Sequence, residues 1–155
     1  MRGYQAASLR TVSTKGVTVG QVVSIRPHPH ADLIWLADVD IGTDNQLQVV
    51  WGGLPVVKEG SLVAVAQPGT WLPATEDKPS PYKIRRRRYR SAISEGMLCS
   101  LAELGWDSSS TDRVALLDGS AGLRVGESLD NRHADWKLIV VPATDILGAL
   151  TFAVT

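Results

Sequence analysis

Apolar residues alternate with smaller or polar ones along the first half of the chain, which is the pattern of a half-buried β-strand. Four segments predict strands in this way: 17–25, 33–41, 47–51 and 61–66. In the first segment Val17, Val23 and Ile25 fall on one face, and in the second Leu33 and Val39 do. Turn-forming residues separate the segments. Short strands at this spacing predict an all-β sandwich or barrel.

The second half of the chain predicts one short helix and one more strand. LCSLAELG (98–105) is the helix, because Ser100 and Glu103 have capping-box spacing and Gly105 suits the left-handed conformation after a helix end. RVALL (113–117) predicts a strand. The proline-rich segment between the two halves predicts an exposed loop.

Residues 138–155 form an apolar stretch that is interrupted by Pro142, Asp145 and Gly148. A membrane span needs about 20 mostly apolar residues, so we expect no transmembrane helix. The stretch could add a strand, form the interface of a homodimer, or be the remainder of a removed domain. Because exposed apolar patches mark interaction surfaces, we favour packing on the barrel or on a second copy.

Composition limits the class of protein. The 155 residues, 44% of them apolar, predict one domain with a sizeable core. A formal net charge of zero argues against indiscriminate binding to nucleic acid but allows a local basic patch. Cys99 is the only cysteine, which excludes an internal disulfide and suits a reducing compartment. The N-terminus has no apolar signal-peptide core, so a cytoplasmic protein is expected.

Residues 82–90, YKIRRRRYR, form what we call the basic run. As a strand it would place two arginines on each face, and unpaired buried guanidinium is very costly. The run must therefore be an edge strand, a loop or the lining of an open groove. Two interpretations follow. The charges could merely prevent edge-to-edge aggregation, or they could contact phosphates, with Tyr82 and Tyr89 stacking on bases.

Four segments together resemble one family: PHPHADLI (27–34), VVWGGLPVVKEG (49–60), the basic run and SEGMLCSLAELG (94–105). The chain resembles the tRNA-binding OB domain, over about residues 17–129. That domain occurs near the N-terminus of the bacterial phenylalanyl-tRNA synthetase β subunit, in many methionyl-tRNA synthetases and in stand-alone tRNA-binding proteins. RVALLDGSAGLRVGESL (113–129) favours the β-subunit branch.

The resemblance implies a five-stranded OB barrel with appended strands and one short helix. It divides the chain into an N-terminal arm (1–16), a tRNA-binding OB domain (17–129) and a C-terminal extension (130–155). Members of the family bind tRNA by shape and phosphate backbone, catalyse no reaction and need no cofactor. The expected partners are tRNA and an aminoacyl-tRNA synthetase, with no membrane. The chain is then a stand-alone or excised module of synthetase type.

Matching positions give most of the candidate RNA-binding residues, and His30 and Arg87, which depart from the family pattern, complete the set. The candidates are His30, Lys83, Arg85, Arg86, Arg87, Arg88, Arg90, Ser94, Glu95, Met97 and Ser100. The resemblance implies that the basic residues contact phosphates, and that the residues from Ser94 to Ser100 shape the adjoining groove.

Several positions depart from the family pattern. His30 and Pro55 each replace an asparagine, Trp51 replaces a cysteine, and Arg87 replaces a small residue. Trp51 is interpreted as a core residue, with a stacking face as the alternative. The two lost amides motivate a second hypothesis, in which the OB scaffold has lost tRNA binding and serves as a protein-interaction module beside a synthetase.

Other chemistry has weaker support. His28, His30 and Asp32 offer metal-ligand types, but no further ligand cluster accompanies them, so no metal is predicted. A third hypothesis, a hydrolase of mischarged tRNA, rests on the same histidines. His28 is instead interpreted as holding its loop by hydrogen bonds, and Cys99 as a buried structural thiol. Asp38 and Asp40 are interpreted as solvated. No catalytic residue is predicted, and the chain is not expected to be an enzyme.

Overall fold

The computed structural model describes residues 16–52, 57–110 and 113–142. The predicted N-terminal arm, Pro55 and the end of the C-terminal extension therefore lie almost entirely outside the described residues. Within these ranges there are ten strands and one short 3-10 helix, His133–Leu138. The strands are β1 Val17–Pro27, β2 Ile34–Asp40, β3 Leu47–Gly52, β4 Leu62–Ala66, β5 Trp71–Leu72, β6 Tyr82–Lys83, β7 Arg87–Tyr89, β8 Ala92–Ser94, β9 Met97–Leu98 and β10 Leu116–Leu117.

The main sheet is antiparallel, in the order β10-β4-β1-β2-β3, and β9 also pairs with β4. Two small sheets, β5-β6 and β7-β8, complete the architecture. The prediction of an all-β fold of the OB type is confirmed, and the one short helix of the described residues lies at His133–Leu138 rather than at the predicted position. The first four strands lie within two residues of their predicted bounds.

Strand β1 is shared between two halves of the sheet. Residues 17–21 pair with β4 and residues 21–27 pair with β2, and the register shifts between Val22 and Ser24. The bulge leaves Val23 exposed, whereas Val22 and Ile25 both contribute to one core cluster. The predicted alternation, which put Val23 and Ile25 on one face, is therefore wrong at this point, because an extra residue in the strand reverses it.

Two apolar clusters lie on opposite faces of β1 and β4. Val63 and Val65 belong to one cluster, which β1–β4 and β9 mainly build, and Ala64 and Ala66 to the other. The second cluster packs segments from later in the chain, including Leu104 and the end of the 3-10 helix region, against that face. Both faces of these strands are therefore buried, as a two-layered core requires.

Residues 98–105 do not form the predicted helix. Both predicted caps are present: the Ser100 and Glu103 backbone N–H groups bond each other's side-chain oxygens, at 2.8 and 3.2 Å. Gly105 has a φ of 75°, and its N–H and that of Trp106 donate back to Ala102 and Leu101, as in a Schellman motif. The two caps lie so close together that only one turn fits between them.

The described part of the C-terminal extension packs onto the domain. Trp136 stacks on Trp106 with ring centroids 6.3 Å apart, and Ile139 and Val140 are buried. Val140 also forms a β-bridge with Leu117 of β10. This contact agrees with the preferred expectation of packing on the barrel. No helix in the described ranges is long and apolar enough to cross a membrane.

Candidate nucleic-acid interface

The basic run is divided into two short strands by a buried residue. Ile84 is buried in the core, and its backbone bonds Thr70 and Gly69 at 2.7 and 2.8 Å. The preceding residues form β6, and Arg87–Tyr89 form β7. The run is therefore not one continuous strand with two arginines on each face. The expectation of an edge or loop position holds, since residues 85–90 are all exposed.

Lys83 and the five arginines of the basic run form no ion pair with a carboxylate of the described residues. No ion pair within 4 Å involves any of them, although other arginines of the chain do pair with acids. Arg90 instead donates a 3.0 Å hydrogen bond to the carbonyl oxygen of His30. The positive charge of this surface is therefore not neutralised locally, and it creates an attractive field for anions.

A buried histidine connects the 27–34 loop to the basic run. The His30 backbone N–H donates to Nδ1 of His28 at 3.0 Å, so the proton of the neutral ring lies on Nε2. Nε2 then donates to the carbonyl oxygen of Tyr89 at 2.8 Å. Both ring nitrogens are thus occupied, which confirms the loop-holding role of His28.

The metal and hydrolase hypotheses lose their main support from this geometry. A His28 ring with two hydrogen bonds has no lone pair left for a metal ion or for a substrate proton. No group of three or more potential metal ligands occurs within the described parts of the chain. His30 itself remains exposed, with its side chain beside that of His28 at a ring distance of 6.3 Å.

The 94–100 motif lies behind the basic run and holds it to β3. The buried Ser94 hydroxyl accepts from the Val50 N–H and donates to the Gly96 carbonyl oxygen, both at 2.9 Å. Glu95 and Gln48 exchange backbone and side-chain hydrogen bonds of 2.7 and 3.1 Å.

The other two motif residues are also packed inward. Met97 is half-buried against the second cluster, and the buried Ser100 is the N-cap described above. The hydroxyls of Ser94 and Ser100 are both occupied and shielded from solvent. These positions therefore build the framework of the surface, and their part in RNA binding stays a prediction.

Sequence reasoning missed a polar network on the outer face of the sheet. Asp38 accepts hydrogen bonds from Ser24 at 2.8 Å and from Arg26 at 3.0 Å, and Arg26 also reaches Gln48 at 2.7 Å. Asp38 is thus paired rather than merely solvated. Asp40 is likewise engaged, since its carboxylate accepts from the Gly42 N–H at 2.8 Å. The network was missed because it joins side chains of neighbouring strands, and the register between strands cannot be predicted from one segment alone.

The aromatic residues near the site differ in availability. Trp51 is only 8% exposed, which confirms its assignment to the core. Tyr82 donates its hydroxyl to Glu103 at 2.9 Å, and the Lys78 ammonium lies 4.5 Å from its ring centroid. Burial, and then the Glu103 carboxylate, raises the pKa of Tyr82 well above its usual value. Tyr89 remains exposed, and so does Trp71, which the sequence had not singled out.

Comparison with known proteins adds a family. Residues 17–128 match the family described as "Putative tRNA binding domain". The chain is 44% identical over 112 residues to the phenylalanine–tRNA ligase beta subunit of Synechococcus sp. (strain JA-2-3B'a(2-13)), which covers 71% of this chain and 13% of that subunit. The beta subunit of Burkholderia pseudomallei (strain 1710b) is 37% identical over 145 residues, covering 92% and 18%. The chain thus spans less than a fifth of these relatives.

One solved structure is similar in fold. The crystal structure of the C-terminal domain of Plasmodium vivax p43 superposes with a TM-score of 0.50 and covers 76% of this chain and 60% of that one. The two sequences are 19% identical, so the similarity concerns the fold alone.

Proposed function

We propose, on the premise that the chain belongs to the tRNA-binding domain family, that it binds tRNA through the exposed cations of the basic run. The resemblance expected from four sequence motifs is confirmed by the family match. The observation that carries the proposal is the set of six exposed cations within residues 83–90, none of which forms an ion pair with a carboxylate of the described residues. Such a surface suits a polyanion, because each phosphate that it neutralises releases condensed counterions.

The arginines of the run provide the phosphate contacts. Guanidinium groups form forked hydrogen bonds with phosphate oxygens and can also stack on bases. Arg87 and Arg88 lie in β7, which among the described residues pairs only with β8 and so forms an exposed edge. The contacts are held in place by the 94–100 motif on one side and by His28 on the other. Recognition then depends on the shape and backbone of the RNA rather than on base sequence.

Binding without catalysis is the second part of the proposal. Both ring nitrogens of His28 are occupied by backbone groups. Burial, and then the nearby Glu103 carboxylate, raises the pKa of the Cys99 thiol, so a nucleophilic thiolate is disfavoured. These facts support a recognition module rather than an enzyme.

The similarity to the relatives also suggests a class of protein partner. The phenylalanine–tRNA ligase beta subunits carry a matching segment within a much longer chain. An aminoacyl-tRNA synthetase is accordingly the proposed protein partner. A homodimer through the C-terminal extension (130–155) is proposed as well.

The test measures binding of the full chain to total tRNA by fluorescence anisotropy across a salt series. If about five phosphates are contacted, the slope of log K against log salt should be near −4. Arg85→Ala with Arg86→Ala should weaken binding and reduce the slope by about 2, since two contacts are removed.

The matched control removes two exposed cations from other segments, Lys58→Ala with Arg124→Ala. This variant has the same net charge as the test variant and should bind with nearly the slope of the unchanged protein. An equal loss in both variants would show that only total charge matters. Absence of binding by the unchanged protein would overturn the proposal and favour the protein-interaction hypothesis.

A further inference from the structure

Trp71 is the most exposed of the tryptophans among the described residues. Its side chain is 60% exposed, whereas Trp51 and Trp106 are 8% and 6% exposed. The flanking residues Thr70 and Leu72 are buried, so the strand alternation directs Trp71 outward. A single exposed apolar residue needs no special explanation. The position of this one, however, brings it to the basic run.

Trp71 lies directly opposite Lys83 in the β5-β6 pair. Opposed residues of an antiparallel pair place their side chains on the same face, with Cβ atoms about 4.5–5.5 Å apart. The Trp71 and Lys83 side chains therefore start side by side on one exposed surface. Arg85 follows Lys83 by two residues and is exposed as well.

The hairpin that carries this pair is firmly anchored. Leu72 and Ile84 are both buried in one apolar cluster, and Ile84 bonds Thr70 and Gly69 through its backbone. An aromatic ring on such a support loses little conformational freedom when it binds a ligand, which favours affinity. Lys83 and Arg85 have no carboxylate partner within the described ranges, so the ring adjoins uncompensated positive charge.

We propose that Trp71 and Lys83 form a stacking site for one unpaired base of the bound RNA. The indole face stacks on the base while the Lys83 ammonium binds the adjoining phosphate. Aromatic rings beside basic groups on a β-surface bind single-stranded nucleic acid in this way, with little sequence preference. This inference rests on the proposed function, and it adds that the RNA must present an unstacked base here.

The experiment compares two RNA probes on the full chain, a hairpin with an unpaired loop and a blunt duplex of equal length. Trp71→Ala should weaken binding of the loop RNA by about 5- to 150-fold, the range of one lost stacking interaction. Binding of the duplex should change little. The salt slope should stay unchanged for Trp71→Ala but fall by about 1 for Lys83→Ala.

Two controls separate stacking from folding and from general apolar contact. Trp71→Tyr should restore most of the affinity, because it keeps an aromatic face. Leu138→Ala removes another exposed apolar side chain and should leave loop binding unchanged. The inference is overturned if Trp71→Ala binds the loop RNA as tightly as the unchanged protein, or weakens both probes equally. Failure of the unchanged protein to bind any RNA overturns the proposed function instead, and this inference with it.

Discussion

The imidazole Nε2 of His28 lies 2.8 Å from the carbonyl oxygen of Tyr89, across 61 positions of the sequence. This contact attaches the loop after β1 to the end of the basic run. The loop returns a second contact, since the His30 carbonyl oxygen accepts from Arg90. Two segments that resemble the family separately are thus one structural unit.

Replacing His28 should destabilise the fold and loosen this unit. His28→Ala leaves the Tyr89 carbonyl and the His30 N–H without their partner, which costs about 1–3 kcal/mol in the free energy of unfolding. Urea unfolding measures the loss. His30→Ala is the control, because its side chain is exposed, and a change within about 0.5 kcal/mol is expected. Equal stability of the two variants would contradict the holding role.

Gly96 should tolerate no side chain. A Cβ atom at this position would lie 2.7 Å from the backbone oxygen of Ala66, at the β4–β9 contact. Gly96→Ala should therefore lower the free energy of unfolding by about 1–3 kcal/mol, since the backbone must shift. Gly119→Ala is the matched control, because nothing lies within 4 Å of its Cβ position. A neutral Gly96→Ala in thermal or urea unfolding would show that the β4–β9 contact adapts freely.

The Ser94 hydroxyl should be worth more to stability than an exposed serine. Ser94→Ala leaves the Val50 N–H and the Gly96 carbonyl without a buried partner, at a cost of about 1–3 kcal/mol. Ser91→Ala, at an exposed position of the adjoining turn, should change stability by less than about 0.5 kcal/mol. Comparison of the two midpoints in urea tests the difference, and a tolerated Ser94→Ala would remove this residue from the framework.

Alkaline pH should weaken the fold through Tyr82. Its pKa is raised in the folded state by burial and then by Glu103, above the ordinary value of 10.0. The folded protein therefore retains this proton where the unfolded chain has lost it, so stability present below pH 10 declines as the pH rises further. Tyr82→Phe has no proton to lose and should flatten this decline. The test is to measure the free energy of unfolding of both proteins between pH 9 and 11. Parallel curves would show that Tyr82 does not cause the decline.

The sequence predicted those parts of the fold that depend on local alternation or on local caps. The first four strands follow from their period of two, and Ser100 and Gly105 are caps as expected. The bulge at Val23 escaped prediction, because an apolar residue there fits the unbroken pattern. Trp71 escaped as well, since a strand of two residues shows no period. The proposed role of Trp71 in stacking depends on its position opposite Lys83, and this pairing arises only when the chain folds.

The candidate site follows the same division. The arginines are adjacent in the sequence, and so the basic surface could be predicted from the sequence alone. Its interruption at Ile84 could not, because the backbone partners of Ile84 lie at Gly69 and Thr70. The ion pair between Arg26 and Asp38 likewise requires two strands in register. Contacts between distant segments, rather than residue type, decide which side chains remain free.

Strands β1 and β4 are buried on both faces, and this limits how far the chain can be shortened at its C-terminal end. Leu129, Ile139 and Val140 all lie in the cluster that covers one face of these strands. A fragment ending at residue 128 would keep every segment that matches the family and yet expose part of this face to water. Engineers who transplant the module to another protein should therefore fuse it after residue 141, where the β-bridge of Val140 with Leu117 is retained.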